Sequence, residues 1–255
     1  MQKHVIGIMG AMHEEIHEIA GLMTLQKTVT IGGRNYICGT INDQHVVIVF
    51  SRWGKVAAAS TATILIREFG VEMLLFCGIA GALDEKLNIG DVVLGRRLYQ
   101  YDMDARPLMR QFEIPLLNKT YFETDASFTA HLSQRLTLLF GPGGKIRSLL
   151  KKELDSYLIQ APRLIHGDIA SGDRFISSSA AKSDILKLLP EISCVEMEGA
   201  AVAQICHENN IPFAIIRTIS DKAAEHADMD FASFTKDIAG KYAGCITKAL
   251  FLDTF

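Results

Sequence analysis

The sequence has no surplus of basic residues and no long apolar run, and each absence excludes a class of protein. Its 26 basic and 29 acidic side chains give a net charge of −3. Nucleic-acid-binding proteins usually carry a basic surplus that displaces counterions. No run approaches the roughly 18 apolar residues that a membrane span needs. The composition therefore predicts a soluble protein without a nucleic acid or membrane partner.

The sequence also lacks cysteine pairs and a secretion signal. Its 5 cysteines are odd in number, widely spaced and mostly set in apolar runs, which predicts buried free thiols in a reducing compartment. The first apolar run is short and is followed by acidic residues from Glu14 onward, unlike a signal peptide. We therefore expect a cytoplasmic protein.

The chain alternates apolar, β-rich runs with segments of helical periodicity, and it shows no repeat, low-complexity tract or linker. This pattern predicts one α/β domain over residues 1–255. The predicted strands are 4–9, 35–41, 44–50, 71–77, 89–94, 163–170, 192–195 and 212–219. The predicted helices are 16–23, 56–69, 126–140, 180–189, 199–207 and 234–251.

The remaining segments predict turns and loops. Residues 78–82 (GIAGA) are typical of a small-residue turn, and residues 99–117 lose periodicity, which indicates a long excursion of functional or interfacial use. Residues 141–144 (GPGG) are the strongest breaker in the chain, and the basic tract 145–152 predicts a solvated surface insertion within residues 141–162. No function is evident for that insertion.

The motif VEMEGAA, at residues 195–201, places two acids where a predicted strand gives way to a helix. In an α/β sheet, ligands bind at such junctions. If the strand geometry extends through Met197, Glu196 and Glu198 point the same way. Taken alone, the motif is better explained as an acidic helix start, which is common on protein surfaces.

Similar residues follow other predicted strands. Glu15, Phe175 and Asp221 each occupy such a position, and each alone could serve as a helix cap or a packing residue. Together, Glu15, Glu198 and Asp221 would surround one cleft with an aromatic plate, and the absence of a histidine cluster argues against a metal hydrolase. Glycosidic cleavage needs one acid for the leaving group and one base for water.

Six motifs carry a resemblance to a known family. GAMHEE (10–15), GIAGAL (78–83), IGDVV (89–93), SGDRFI (171–176), VEMEGAA (195–201) and RTISD (217–221) follow in the order and spacing of the nucleoside phosphorylase superfamily. Within it, the chain resembles the methylthioadenosine/S-adenosylhomocysteine nucleosidases. The resemblance implies a three-layer α/β/α sandwich around a mixed, partly closed twisted sheet. It also implies a homodimer that acts in methionine salvage without a cofactor or metal.

The resemblance implies roles for the polar residues. It places Glu15 as the carboxylate that activates water and Asp221 as the acid that protonates the adenine imidazole ring, with Ser220 orienting it. Glu198 accepts hydrogen bonds from the ribose 2′- and 3′-hydroxyls, and Glu196 gives conformational support. We predict a raised pKa for Asp221, because acid catalysis requires its protonated form.

The same resemblance implies roles for the apolar residues. Met197 packs under the ribose, Phe175 stacks on adenine and Ile176 offers backbone hydrogen bonds to the adenine edge. Met12 and Trp53 form the pocket for the 5′-alkylthio group. They are joined there by part of the 99–117 segment of a second copy of the chain.

Two turns depart from the family pattern, at residues 51–54 (SRWG) and 79–81 (IAG). Ile79 removes a hydroxyl that a phosphorylase would use for phosphate, and Glu14 and Glu15 stand where arginine would be needed, so hydrolysis is favoured. Arg52 is the one feature that favours phosphorolysis. Three alternatives stay open: a purine nucleoside phosphorylase, a nucleosidase for another 6-substituted purine nucleoside such as aminodeoxyfutalosine, and a ligand sensor without catalysis.

Overall fold

The structure is a computed structural model that describes residues 4–252. Its strands are β1 (Ile6–Gly10), β2 (Thr24–Ile31), β3 (Arg34–Ile41), β4 (Gln44–Phe50), β5 (Met73–Ala82), β6 (Val92–Gln100), β7 (Phe122–Glu123), β8 (Leu164–Ser171), β9 (Ile192–Glu196) and β10 (Phe213–Asp221). Its helices are α1 (His13–Ala20), α2 (Lys55–Phe69), α3 (Ala126–Phe140), α4 (Ile146–Leu149), α5 (Lys151–Ser156), α6 (Ser179–Leu188), α7 (Gly199–Glu208), α8 (Ala227–Phe234) and α9 (Gly240–Phe251), with a π-helical segment (Thr235–Ala239) before α9.

The strands form one mixed sheet that partly closes on itself. Strand β5 pairs in parallel with β10, which pairs antiparallel with β6, and the path continues through β8 and β9 back to β5. Strands β1, β4, β3 and β2 extend the sheet from the other side of β5 as an open wing. The predicted mixed, partly closed sheet is therefore confirmed.

Helices cover both faces of the sheet. Successive residues of a strand point to opposite faces, and the neighbours Leu75 and Phe76 of β5 accordingly join different hydrophobic clusters. Phe76 packs in the cluster that contains Leu65 of α2 and Ala203 of α7. Leu75 packs in the cluster that contains Leu136 of α3. This arrangement has the three layers expected from the sequence.

Strand β2 is absent from the sequence prediction. Its residues are mostly exposed, with only Val29 and Ile31 partly buried, so the segment carries almost no hydrophobic signal. It forms because β3 offers it an antiparallel partner from Thr24 to Ile31. Tertiary pairing, rather than burial, accounts for this edge strand.

The predicted turn at residues 78–82 is wrong, because β5 continues through Ala82. The small residues serve close packing in a strand with neighbours on both sides. A Cβ atom at Gly78 would lie 2.8 Å from Arg217 Nη1, and one at Gly81 would lie 2.8 Å from Asp221 Oδ1. Glycine at both positions therefore lets β10 side chains approach the β5 backbone.

The predicted solvated insertion at residues 145–152 is only partly right, because its lysines are exposed but its apolar residues anchor it to the core. Helices α4 and α5 span most of it, and Ile146, Leu150 and Leu154 are buried in the cluster that includes α3 and α9. Ile146 belongs to α4 and Leu154 to α5, and Leu150 lies at the junction between the two short helices. The lysines between these residues are exposed to solvent, and their charge led the sequence prediction to overlook the apolar residues.

Other predictions agree with the structure to within a few residues. The segment 101–121 is a long excursion of turns with one isolated bridge between Ile114 and Lys119. The predicted strand at 89–94 begins later, at Val92, and the last predicted helix is divided by the π-helical segment. The cysteines are free and buried, as expected. Across residues 4–252, every helix is too short or too polar to cross a membrane.

Candidate active site

A cavity of about 220 Å³ opens where β1, β5, β9 and β10 end. The pairing register explains this convergence, because Gly81 of β5 lies between Val195 of β9 and Asp221 of β10. The cavity is lined by Ala11, Met12, Trp53, Ile79, Ala80, Gly81, Phe175, Val195, Glu196, Met197, Glu198, Ser220, Asp221 and Phe231. Strand ends thus bring together residues that are more than 200 positions apart in the chain.

Glu15 lies in the first turn of α1, beside this cavity, and its side chain caps the N-terminus of that helix. Its Oε2 atom accepts hydrogen bonds of 3.0 Å from the backbone N–H groups of Ala11 and Met12, both of which line the cavity. The side chain is 2% exposed. Although Glu15 itself is not among the lining residues, its carboxyl group is fixed directly behind them.

Glu196 lies at the end of β9 and is saturated with hydrogen bonds. Arg217 donates to Glu196 Oε2 from Nη2 at 2.6 Å and from Nε at 3.2 Å, and both side chains are buried. The backbone N–H groups of Glu198 and Gly199 and the Ser171 hydroxyl donate to the same carboxylate. Such saturation is what a buried ion pair needs to offset its desolvation.

Glu198 belongs to the same motif but is bound much less completely. Its Oε1 atom accepts a 2.9 Å hydrogen bond from the backbone N–H of Gly54, in the loop between β4 and α2. The neighbouring Trp53 donates from Nε1 to the carbonyl oxygen of Ala11 at 3.1 Å. The loop therefore joins the Glu198 carboxylate to the end of β1 across the cavity.

Asp221 ends β10 on the other side of β5. Its Oδ1 atom accepts from the backbone N–H of Ala223 at 2.8 Å, and its Oδ2 atom accepts from the Ser220 hydroxyl at 2.8 Å. These two donors fix the plane of the carboxyl group against the cavity wall. The Ser220 hydroxyl thus contacts the carboxyl group that the resemblance assigns it to orient.

Three aromatic rings form the apolar wall of the cavity. Phe175 and Phe231 meet edge to face with their centroids 5.5 Å apart, and Trp53 meets Phe231 in the same way at 6.3 Å. Met12, Met197 and Ile79 complete this apolar wall. A flat base and a small apolar substituent are the ligand groups that such a wall accommodates.

Burial raises the pKa of the carboxyl groups around the cavity. It raises the pKa of Glu15 from 4.5 to about 8 and that of Glu198 to about 7, and the positive charge of Arg217 opposes both shifts. Burial also raises the pKa of Asp221, against the hydrogen bonds from Ala223 and Ser220. The direction for Asp221 is the one predicted, and carboxyl groups such as Glu15 and Glu198, with pKa values near neutral, suit proton transfer.

The structure brings most of the predicted site residues together in the cavity lining, with Glu15 directly behind it, and leaves one, Ile176, apart. The side chain of Ile176 is buried in a separate cluster with Leu83 and Ile185 and does not line the cavity. Arg52 donates from Nη2 to the carbonyl oxygen of Gly33 at 2.6 Å and likewise lies outside the cavity lining. The side chain that most favoured phosphorolysis is thus engaged elsewhere.

Arg217, Ser171 and Phe231 are part of the candidate site, and the sequence prediction missed them. Arg217 is 0% exposed, and its guanidinium lies 4.1 Å from the centroid of the Phe76 ring. It stands in the RTISD motif, where an arginine inside an apolar strand was the available signal. Phe231 follows Asp221 by ten residues on a helix that the prediction did not include.

Within residues 4–252, no group of three or more His, Cys, Asp and Glu side chains is arranged to hold a metal ion. The polar groups available to a ligand in the cavity are carboxyl groups, a hydroxyl and backbone amides. Their chemistry is proton transfer and hydrogen bonding.

Comparisons with known proteins identify the family of the chain. A sequence model of the phosphorylase superfamily matches residues 5–251. The chain is 32% identical over 238 residues to the 5′-methylthioadenosine/S-adenosylhomocysteine nucleosidase of Staphylococcus aureus strain JH9, which covers 92% of this chain and 94% of that protein.

Solved structures show the same likeness. The nucleosidase of that name from Neisseria meningitidis, in complex with methylthio-immucillin-A, has a TM-score of 0.83 at 30% identity and covers 96% of this chain and 98% of its own. The futalosine hydrolase of Helicobacter pylori strain 26695 has a TM-score of 0.78 at 32% identity and covers 97% and 95%. The chain therefore belongs to the phosphorylase superfamily and, within it, to the family of the methylthioadenosine/S-adenosylhomocysteine nucleosidases.

Proposed function

We propose that the protein hydrolyses the N-glycosidic bond of 5′-methylthioadenosine and S-adenosylhomocysteine, releasing adenine and the thioribosyl sugar. The observation that carries the proposal is the convergence of Glu15, Glu198 and Asp221 around one cavity with an aromatic wall. The similar nucleosidases of Staphylococcus aureus and Neisseria meningitidis support the same substrates.

In the proposed reaction, Asp221 acts as the general acid. Because its pKa is raised, a larger fraction of the Asp221 carboxyl group is protonated than in a solvent-exposed aspartate. Hydrogen bonds from Ser220 and Ala223 hold this carboxyl group in place. It donates a proton to the imidazole ring of adenine while the bond from the base to C1′ breaks. Adenine then leaves as a neutral base, and positive charge builds on the ribose.

Glu15 acts as the general base on the opposite side of the sugar. Water attacks C1′, and the Glu15 carboxylate takes one of its protons. The positive charge on the ribose favours the ionised form of Glu15, which opposes the effect of burial on its pKa. Glu198 accepts hydrogen bonds from the 2′- and 3′-hydroxyls, and Met197 packs beneath the ring.

The base and the 5′ group bind to the apolar wall. Phe175 stacks on adenine, and Ile176 contributes through its backbone, since its side chain is buried elsewhere. Met12 and Trp53 contact the 5′-alkylthio group. The wall is completed by Ile79, at the position where a phosphate-binding hydroxyl would be needed for phosphorolysis.

Charge separates hydrolysis from phosphorolysis. Among the lining residues from the described part of the chain, acids are present and arginine is absent. Arg217 is engaged by Glu196, and Arg52 by Gly33. A phosphate dianion next to buried carboxylates would be repelled by on the order of a few kcal/mol at intermediate dielectric. The cavity therefore favours water over phosphate as the nucleophile.

The test is release of free adenine from both nucleosides in phosphate-free buffer. We expect turnover that phosphate does not accelerate and a free thioribose product. A requirement for phosphate, with a ribose 1-phosphate product, would refute hydrolysis. Binding without release of adenine would support a ligand sensor instead.

A second candidate substrate is aminodeoxyfutalosine, which the similarity to the futalosine hydrolase of Helicobacter pylori favours. It presents the same base and ribose to the site and differs in its 5′ substituent. The kcat/KM values of the three nucleosides should be measured side by side. The nucleoside with the highest kcat/KM is the preferred substrate.

We further propose a cytoplasmic homodimer that serves methionine salvage. Leu108 and Leu116, in the 101–121 excursion, are 89% and 91% exposed, and an interface would cover them. In such a dimer, this segment of one copy reaches the 5′-alkylthio pocket of the other. Sedimentation of the purified protein tests the dimer, and Leu116→Asp should weaken it.

A further inference from the structure

Helix α2 starts without a cap of its own. Its N-cap residue, Gly54, has φ +89° and no side chain, and the first turn contains no acidic residue. The backbone N–H groups at a helix start have no partner within the helix and form its positive end. Acceptors for α2 must therefore come from elsewhere in the chain.

Two distant carboxylates supply them. Gly54 N–H donates to Glu198 Oε1 at 2.9 Å, and the next N–H, from Lys55, donates to Asp173 Oδ1 at 2.7 Å. The ribose-binding carboxylate and Asp173 are thus attached to consecutive peptide groups. A shift of either peptide group would move the other.

Asp173 is itself fixed by a closed ring of contacts. Its backbone N–H donates to Asp102 Oδ2 at 3.0 Å, and Asp102 Oδ1 accepts from Lys55 Nζ at 2.6 Å. The ring returns through Lys55 N–H to the Asp173 carboxylate. It joins the segment after β6, the loop after β8 and the start of α2.

Glycine at position 54 fits this arrangement. A Cβ atom there would lie 3.0 Å from Asp173 Oδ1, and its positive φ also disfavours other residues. The carboxylate therefore rests directly against the Gly54 backbone. Phe175, two residues beyond Asp173, lines the cavity, so the same ring connects the base-binding and ribose-binding sides.

We propose that Asp173 is a positioning residue that holds the Gly54–Lys55 backbone so that Gly54 N–H orients the Glu198 carboxylate toward the ribose. The proposal rests on the proposed function, in which Glu198 binds the ribose hydroxyls. Asp173 acts through Glu198 and has no contact with the reacting atoms.

The first test compares Asp173→Ala with Asp173→Asn. The Ala variant loses the acceptor for Lys55 N–H, and we expect kcat/KM for adenine release to fall about 10-fold, because the Glu198 carboxylate is then less well oriented toward the ribose. Asparagine keeps an oxygen acceptor, so kcat/KM should stay within about 2-fold of the wild type.

Asp125→Ala is the matched control. Asp125 caps α3, which has 15 residues like α2, by accepting from Phe128 N–H at 2.7 Å, and it does not line the cavity. We expect a loss of thermal stability similar to that of Asp173→Ala, with kcat/KM unchanged from the wild type. If kcat/KM were the same for Asp173→Ala and Asp125→Ala, the proposal would be overturned.

A second readout separates positioning of Glu198 from general damage. Binding is measured by calorimetry with the 7-deaza analogue of 5′-methylthioadenosine and with the same analogue lacking both ribose hydroxyls. We expect Asp173→Ala to weaken the first about 10-fold and the second less than about 2-fold, because the contact to Glu198 is already missing there. An equal loss for both ligands would overturn the proposal.

Amide hydrogen exchange tests the ring without any substrate. Gly54 and Lys55 N–H should be protected in the wild type and in Asp173→Asn, and should lose protection at least 10-fold in Asp173→Ala. Unchanged protection overturns the proposal. The wild type could release no adenine while Asp173→Ala still loses amide protection as expected. That result would refute the proposed function but support the ring of contacts around Asp173.

Discussion

Glu196 and Glu198 are two residues apart in one motif, and both are buried, yet their surroundings differ. Glu196 accepts hydrogen bonds from a guanidinium, a hydroxyl and two backbone N–H groups. Glu198 accepts from Gly54 N–H and borders the cavity. A carboxylate saturated by the protein supports the structure, whereas one that is incompletely bound is available to a ligand.

Glu15 and Asp221 can be compared with Glu196 and Glu198 by the same criterion, the number of partners that the protein supplies. Glu15 and Asp221 each accept two short-range hydrogen bonds and have no direct cationic partner within the described residues, and the pKa of each is raised by burial. They resemble Glu198 more than Glu196. Replacing members of the two groups should therefore have opposite effects on stability and rate.

Asp221→Asn should have the largest effect on rate. Without its acid, the enzyme should lose about 10²- to 10⁴-fold in kcat, the usual contribution of general acid catalysis. Nucleoside binding should persist, because the shape of the cavity is kept. Stopped-time assays of adenine and calorimetric titration measure the two quantities, and near-normal turnover would refute the role of Asp221.

Glu196→Gln should have the largest effect on stability. The substitution leaves Arg217 buried without its counter-charge, and breaking a buried pair costs about 3–5 kcal/mol. The free energy of unfolding is measured in urea, with Glu198→Gln as the matched isosteric control. A comparable loss in both variants would remove the distinction between the two acids.

Glu198→Gln should instead lower kcat/KM by about 10- to 100-fold with little change in stability, because hydrogen bonds to a charged group contribute about 1.5–3 kcal/mol. The loss should shrink on a nucleoside that lacks the ribose hydroxyls. A loss of the same size on both nucleosides would separate Glu198 from the ribose.

The last prediction concerns pH. The unfolded Glu15 carboxyl titrates near 4.5 and the folded one near 8, so between these values only the folded state holds the proton. Stability should therefore fall as the pH rises through this window. Glu15→Gln lacks this contribution, and its melting temperature should decline less from pH 5 to pH 8.

Melting curves at both pH values measure this difference. Glu191→Gln, at an exposed position, is the control and should decline in parallel with the wild type. Parallel curves for Glu15→Gln and the wild type would mean that Glu15 is ionised in the folded protein at neutral pH.

Sequence reasoning predicted the strand ends well because their chemistry is local. Glu15, Glu198 and Asp221 each follow an apolar run, and strand ends converge in an α/β sheet. The fold class and the mixed, partly closed sheet followed from the family motifs. The edge strand β2 did not, because pairing rather than an apolar pattern holds it in place.

The misses have physical reasons of the same kind. Arg217 pairs with a residue 21 positions away, and a fully buried arginine is unusual without such a partner. Residues 145–152 include buried apolar residues, but the lysines between them suggested solvation. The capping of α2 by Asp173 joins three separate segments, which no local pattern encodes.

Strand β10 carries both Arg217 and Asp221 and lies between β5 and β6. During synthesis, more than 200 residues therefore leave the ribosome before the closed part of the sheet can form. A nascent or C-terminally truncated chain that ends before β10 lacks both Arg217, which neutralises Glu196, and Asp221, the proposed acid. The proposed acid therefore takes its place only when the closed part of the sheet is complete.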